Sequence, residues 1–196
     1  MVSDDRDYHE KVSRLEPLSR PLSPQVEALF EELKSRGSSI LNLHLVSAQA
    51  PDLAAARRPL IAGLRSDCKV PRLYRELAIT RAAQMVGCEY EVHHHTPFLV
   101  QCGLSEEAVG KVEDWQNNRA SFDTRQLAVL AYVEEMCGNK GNVSDAVFDE
   151  LAAHFEPGEI YELTIAATTY YAGGMEKNAL GLIMDPDDRK PAPGKF

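Results

Sequence analysis

The chain has 196 residues, of which 44% are hydrophobic, 26% charged and 7% aromatic, with 12 Gly, 11 Pro and four Cys. That length is expected to hold one domain with a substantial core, since a domain of ~150 residues buries roughly 70% of its unfolded surface, and the composition excludes collagen-like, low-complexity and disulfide-scaffold proteins. A net charge of −9 argues against non-specific binding to nucleic acid or an anionic membrane, yet leaves room for an anionic small molecule in a local cationic pocket. Cys68, Cys88, Cys102 and Cys137 are too scattered for a secreted staple framework. No run approaches the ~18 apolar residues of a membrane helix. Met1 to Tyr8 carries Asp4, Asp5, Arg6 and Asp7 with no apolar stretch behind it, unlike a secretory signal. The expectation is a cytoplasmic protein with reduced thiols.

Helix punctuation is dense along the chain. Ser23-Pro24 reads as an N-cap and first-turn proline, followed by Val26, Leu29, Phe30 and Leu33 at helical spacing up to Gly37. Ile40 to Ala50 is a short apolar segment, after which Pro51-Asp52 starts a helix through Leu53, Leu60 and Leu64. Pro71 opens a strongly apolar segment ending at Gly87, and the next segment, Cys88 to Cys102, ends at Gly103 in a C-cap position. Ser105 caps a short helix reaching Trp115, with Glu106 and Glu107 in its first turn. Asp123 starts a helix up to Gly138, Ser144 starts one through Leu151 and Phe155, and a long final helix runs from Ile160 to about Leu182. No hairpin signal of the Asn-Gly or Asp-Gly kind separates alternating runs. The expected architecture is all-α, a single-domain helical bundle of about eight or nine helices. It comprises an N-terminal arm over 1–20, the helical domain over 21–184 and a polar tail over 185–196.

Unusual residues concentrate in Arg75-Glu76-Leu77 and in Gly87-Cys88-Glu89-Tyr90-Glu91-Val92-His93-His94-His95. On a helix, Cys88, Glu91 and His95 fall at i, i+3 and i+7 and share one face. A helix start stabilises a thiolate or a bound carboxylate, and Glu76 on the preceding helix can fold back beside them across Gly87. Such a group can pass a proton between acid, base and substrate. The plainer reading is a solvated Glu–His pair worth a few tenths of a kcal/mol and a cysteine that fills space. Cys88, Glu91 and His95, with His44 as remote support, could also bind zinc, but the spacing is not a strong zinc signature.

The segment from Pro71 to Val109 resembles the carboxymuconolactone decarboxylase family, whose all-helical fold is shared with alkylhydroperoxidase D-like proteins. The resemblance rests on Arg75-Glu76-Leu77, the Cys88-to-Glu91 spacing, His95 four residues later and Gly103-Leu104-Ser105-Glu106-Glu107. Tyr170-Tyr171-Ala172-Gly173-Gly174 through Asn178-Ala179-Leu180 is similar to the family's last helix. The peroxidase branch places a second cysteine where this chain has Glu91, so Cys88 lacks a resolving thiol three residues away. The resemblance therefore implies the Glu-x-x-x-His branch and a cofactor-free, metal-free carboxy-lyase or isomerase. Its catalytic residues would be Glu76, Cys88, Glu91 and His95, and its small anionic substrate would come from aromatic degradation.

Decarboxylation of a carboxylated butenolide can proceed without a cofactor because the released electrons delocalise into the unsaturated lactone. The protein must orient the carboxylate, stabilise the dienolate-like charge and deliver a proton. Expected substrate contacts are Tyr90, His94, Arg75 and His44, with Arg81 and His93 as further cations. Consecutive helical residues diverge by ~100°, so His93, His94 and His95 cannot all line one site. Tyr170 or Tyr171 could add a phenol, Trp115 reads as a packing anchor, and Gly173-Gly174 calls for close helix approach or a kink. The resemblance also implies a trimer or hexamer. Two other functions compete: a thiol-dependent peroxidase using Cys88, and a non-catalytic oligomeric ligand-binding protein.

Overall fold

The computed structural model describes residues 7–186, and among these it contains nine α-helices, one 3-10 turn and no strand. The all-α expectation holds. The described residues divide into two compact units, one formed by 7–66 together with 177–186, the other by Asp67–Glu176.

The first unit holds α1 (Pro24–Ser35), α2 (Asn42–Ser47) and α3 (Pro51–Ser66). Ser23 caps α1, its hydroxyl accepting from the Val26 N–H at 3.4 Å, and Pro24 occupies the first turn, where a missing N–H costs nothing. Val26, Leu29 and Phe30 form the buried stripe of α1, joined in one cluster by Val12, Leu18, Ile40, Leu45 and Ala48. The arm is fastened through its backbone: the Arg14 N–H donates to the Leu180 carbonyl at 2.8 Å, and the Ile183 N–H to the Val12 carbonyl at 3.0 Å. Asp185, where the sequence reading begins its polar tail, is buried and accepts from the Asn42 N–H at 2.6 Å. The first six residues of the arm and the tail beyond 186 lie outside the described residues.

The second unit holds α4 (Arg72–Met85), α5 (Glu89–Gln101), α6 (Glu106–Val109), a 3-10 turn (Arg119–Ser121), α7 (Thr124–Gly138), α8 (Asp145–Ala152) and α9 (Pro157–Leu180) up to Glu176. α4 is buried at every residue from Tyr74 to Ala83, as expected of a helix packed on several sides. It lies against α5 and α7. Leu77, Ala78 and Ala82 of α4 join Leu99, Val129, Leu130, Val133 and Leu163 in one continuous core. Asp123 and Gln126 form the capping box that starts α7, and Ser105 caps α6 through the Ala108 N–H.

Two glycines turn the chain where it must reverse. Gly87 has φ +65° and Gly103 φ +98°, values costly for residues with a Cβ. After each, an N–H reaches back five residues, from Cys88 to the Ala83 carbonyl and from Leu104 to the Leu99 carbonyl, closing Schellman-type helix ends. The first of these turns carries α5 back along α4.

The helix after Ser105 is shorter than its pattern indicates: it ends at Val109, and residues 110–118 form turns. Gly110 weakens the helix, and Asp114 then accepts side-chain bonds from Asn117 and Asn118, a local alternative to helical bonding. Trp115 is nevertheless a packing anchor, buried in the core with its indole N–H donating to Glu134 at 2.6 Å. No helix among the described residues is long and apolar enough to cross a membrane.

Candidate active site

α4 buries Arg75, Glu76 and Arg81, and buried charges are tolerated only when paired. Arg75 donates from Nη1 to the Val70 carbonyl at 2.6 Å, bracing the entry to α4. Arg81 donates to Glu134 of α7 at 2.6 Å and to the Glu113 carbonyl at 3.1 Å. These two arginines tie elements together. Glu76 does something else.

Glu76 Oε2 lies 2.7 Å from Nδ1 of His95 on α5, and Arg72, one turn earlier on α4, bonds the other carboxylate oxygen from Nε at 3.2 Å. Burial pushes the Glu76 carboxyl up, but the hydrogen bond and charge of His95, joined by Arg72, outweigh it and hold the carboxyl below its ordinary value of 4.5. Glu76 is therefore an ionised acceptor, and Nδ1 of His95 carries the donated proton. On the other side of the ring, Nε2 lies 3.6 Å from Oε2 of Glu91, too far for a direct hydrogen bond. The side chains of Glu76, Glu91 and His95 are 8%, 7% and 5% exposed. An imidazole stands between two buried carboxylates, bonded to one and spaced from the other.

The local sequence explains the arrangement. Glu91 and His95 are four residues apart on α5 and share its face, and Glu91 sits in the first turn, where the helix dipole favours a carboxylate. Tyr170 of α9 meets the His95 ring edge to face at 4.6 Å, and Phe98 meets it at 5.8 Å. Phe98 also carries the Arg72 guanidinium over its face at 4.6 Å.

Cys88 is the N-cap of α5 and is 1% exposed. α9 lies directly on this turn: a Cβ at Gly174 would come within 2.5 Å of Val86 Cγ1 and 3.0 Å of Cys88 Cβ. Close approach, rather than a relaxed helix position, explains that glycine. Tyr90 is buried, with its ring 4.4 Å from that of half-buried His94. His93 is exposed, so the three consecutive histidines diverge as helix geometry requires and His95 alone makes the carboxylate contacts described above. His44 belongs to the first unit, where its Nδ1 accepts the Leu41 N–H at 3.0 Å and closes the start of α2.

The site thus assembles Glu76, Glu91 and His95 from the expected set. Arg72 and Phe98 lie outside the set to which the sequence points. The signals were present, because Arg72 precedes Glu76 by four residues and Phe98 follows His95 by three, both same-face helical spacings. No group of three or more His, Cys, Asp or Glu side chains placed to hold a metal ion occurs among the described residues, so the zinc set built on Cys88, Glu91 and His95 is not assembled.

Residues 51–135 match the model of the carboxymuconolactone decarboxylase family. The chain is 30% identical over 120 residues to the uncharacterized protein YnjA of Escherichia coli K12, an alignment covering 59% of this chain and 65% of YnjA. Among solved structures, a peroxidase-related protein from Silicibacter sp. TM1040 superposes with a TM-score of 0.78 at 16% identity, covering 93% of this chain and 96% of that one. A peroxidase-related protein from Ralstonia eutropha JMP134, described as an alkylhydroperoxidase AhpD core, does so with a TM-score of 0.75 at 20% identity, covering 91% and 95%. At such identities the likeness concerns the fold: this chain has the all-helical fold of the alkylhydroperoxidase D and carboxymuconolactone decarboxylase superfamily.

Proposed function

We propose that the chain is a carboxymuconolactone decarboxylase-family enzyme of the Glu-x-x-x-His branch, acting as a cofactor-free acid/base lyase or isomerase. Its substrate would be a small carboxylated lactone or a related product of aromatic degradation. The observation that carries the reading is the 2.7 Å contact of His95 Nδ1 with ionised Glu76. On this reading the proton stays on Nδ1 and Nε2 is the nitrogen that exchanges protons.

The roles follow from that assignment. Breaking the bond to the departing carboxylate leaves an electron pair that spreads into the unsaturated lactone as a dienolate-like charge. His95 delivers a proton from Nε2 to the substrate carbon, and the imidazole is reprotonated afterwards. Glu91, 3.6 Å from Nε2, stabilises the cationic ring while it carries the extra proton. The low-dielectric, buried setting strengthens each of these interactions. Arg72 supplies positive charge beside the couple, and Tyr90 and His94 remain the proposed substrate contacts on α5. A homo-oligomer of three or six chains belongs to the proposal.

A peroxidase cycle needs an accessible thiolate and a partner thiol. Cys88 is 1% exposed, and Glu91 stands three residues on, so the acid/base reading is favoured. Its test is turnover of carboxymuconolactone by the native chain and by Glu91→Gln. The native chain should show a bell-shaped dependence of kcat/KM on pH, and the variant should lose at least about tenfold in kcat. An unchanged rate and profile in the variant would contradict the assignment.

A further inference from the structure

We infer that Arg72 is the positioning residue of the His95 couple: bonded to Oε1 of Glu76, it helps to hold the carboxylate whose other oxygen keeps the proton of His95 on Nδ1. The inference rests on the acid/base reading of the site, and it assigns to Arg72 a task performed through Glu76.

Three contacts carry it. Arg72 Nε reaches Glu76 Oε1 at 3.2 Å, across one turn of α4. The opposite oxygen, Oε2, is the one that meets His95 at 2.7 Å, so a single carboxylate bridges the guanidinium and the imidazole. The Arg72 guanidinium is held over Phe98 at 4.6 Å, and Phe98 itself packs against His95 at 5.8 Å. Arginine, carboxylate, imidazole and phenyl ring thus close a loop that spans α4 and α5. The Arg72 side chain is 20% exposed while that of Glu76 is 8% exposed, which places the cation on the more solvated side of a buried anion.

The charge balance shows why such a residue is needed. A buried carboxylate facing only a neutral imidazole would be drawn towards its protonated form by desolvation. A protonated Glu76 could donate to Nδ1, which would move the imidazole proton to Nε2 and reverse the direction of the relay. The charged groups bonded to Glu76 are Arg72 on its own helix and His95 on α5, while Glu91 stands across the imidazole by Nε2. Tyr170 of α9 faces the imidazole through its ring. Arg75, although buried on the same helix, is directed to the Val70 carbonyl. Arg72 is thus a permanent cation bonded to Glu76.

Charge and packing are separated by two substitutions. Arg72→Met keeps an unbranched stem over Phe98 and removes the charge; Arg72→Lys keeps the charge and loses the planar fork. The full chain, labelled with carbon-13 at glutamate carboxyls and nitrogen-15 at histidine, gives the Glu76 titration midpoint and the His95 tautomer without any substrate. In Arg72→Met the midpoint is expected to rise by about one pH unit or more, with the Nδ1–H tautomer lost only in the pH range where Glu76 becomes protonated. In Arg72→Lys most of the native midpoint should be retained. With carboxymuconolactone as the probe, kcat should fall in Arg72→Met with KM nearly constant and be largely restored in Arg72→Lys. A native midpoint and tautomer in Arg72→Met, with helicity preserved, would overturn the inference. These spectra decide it even if His95 proves dispensable for turnover, an outcome that would instead remove the acid/base reading.

Discussion

Glu76 and His95 are nineteen positions apart in the chain, yet Oε2 of one and Nδ1 of the other lie 2.7 Å apart in the interior of the second unit. α4 is buried on every side over ten consecutive residues, and the Gly87 turn sends α5 back alongside it. A carboxylate that would be costly alone is matched by an imidazole, and the pair becomes available for proton chemistry.

The first consequence concerns acid. Glu76 has its folded-state value depressed below 4.5, because His95 and Arg72 outweigh the upward push of burial. A depressed carboxyl contributes stability that is fully present above its unfolded value and is lost as the pH falls through the folded value. Glu76→Gln should therefore flatten the acid limb of the stability curve below about pH 4.5, the ordinary glutamate value. Urea unfolding at a series of pH values measures this. An acid limb identical in native and variant protein would contradict the ionised-couple assignment.

Gly174 makes a packing prediction. A methyl group there meets Val86 Cγ1 at 2.5 Å and Cys88 Cβ at 3.0 Å, and overpacking of this kind typically costs roughly 1–3 kcal/mol. The helix-propensity gain of alanine over glycine, up to ~1 kcal/mol, offsets only part of that. Gly174→Ala should lower the thermal midpoint and Gly174→Val should lower it further. A variant more stable than the parent would show that α9 does not press on the Cys88 turn.

The thiols separate by environment. Burial pushes Cys137 up to about 11, with Arg81 only partly countering it, and burial likewise raises Cys102 and Cys68. Cys88 is 1% exposed. With the thiol raised at Cys68, Cys102 and Cys137 and access restricted at Cys88, sulfenic acid formation should be slow at all four sites. Mass spectrometry after brief exposure to peroxide, with a sulfenic-acid trap, tests this. Rapid and selective oxidation of Cys88 would favour the thiol-dependent alternative.

Much of this was legible in the sequence because capping and turn chemistry are local. Ser23-Pro24, the Asp123–Gln126 box and Gly103 mark helix ends through bonds within a few residues. The Glu91–His95 pair was visible for the same reason, as a same-face spacing on one helix. Contacts between elements were less accessible. Arg75 and Arg81 look like substrate cations in the sequence, and only the fold shows Arg75 bonded to the Val70 carbonyl and Arg81 to Glu134. Asp185 reads as tail until Asn42 is found opposite it. Trp115 reads as helical because the periodicity continues past Val109, whereas the side chains of Asn117 and Asn118 favour turns. Arg72 had a visible spacing to Glu76, but only the fold shows that its partner is buried and shared with His95.

The central claim is that His95 moves the proton. The most direct measurement is the single-turnover rate of carboxymuconolactone decarboxylation by the native chain and by His95→Gln, with helicity checked by circular dichroism. The account predicts a fall of about 10²–10⁴-fold in the variant, the range that a positioned acid or base contributes, at unchanged helicity. A folded His95→Gln protein that turns over at the native rate would contradict it.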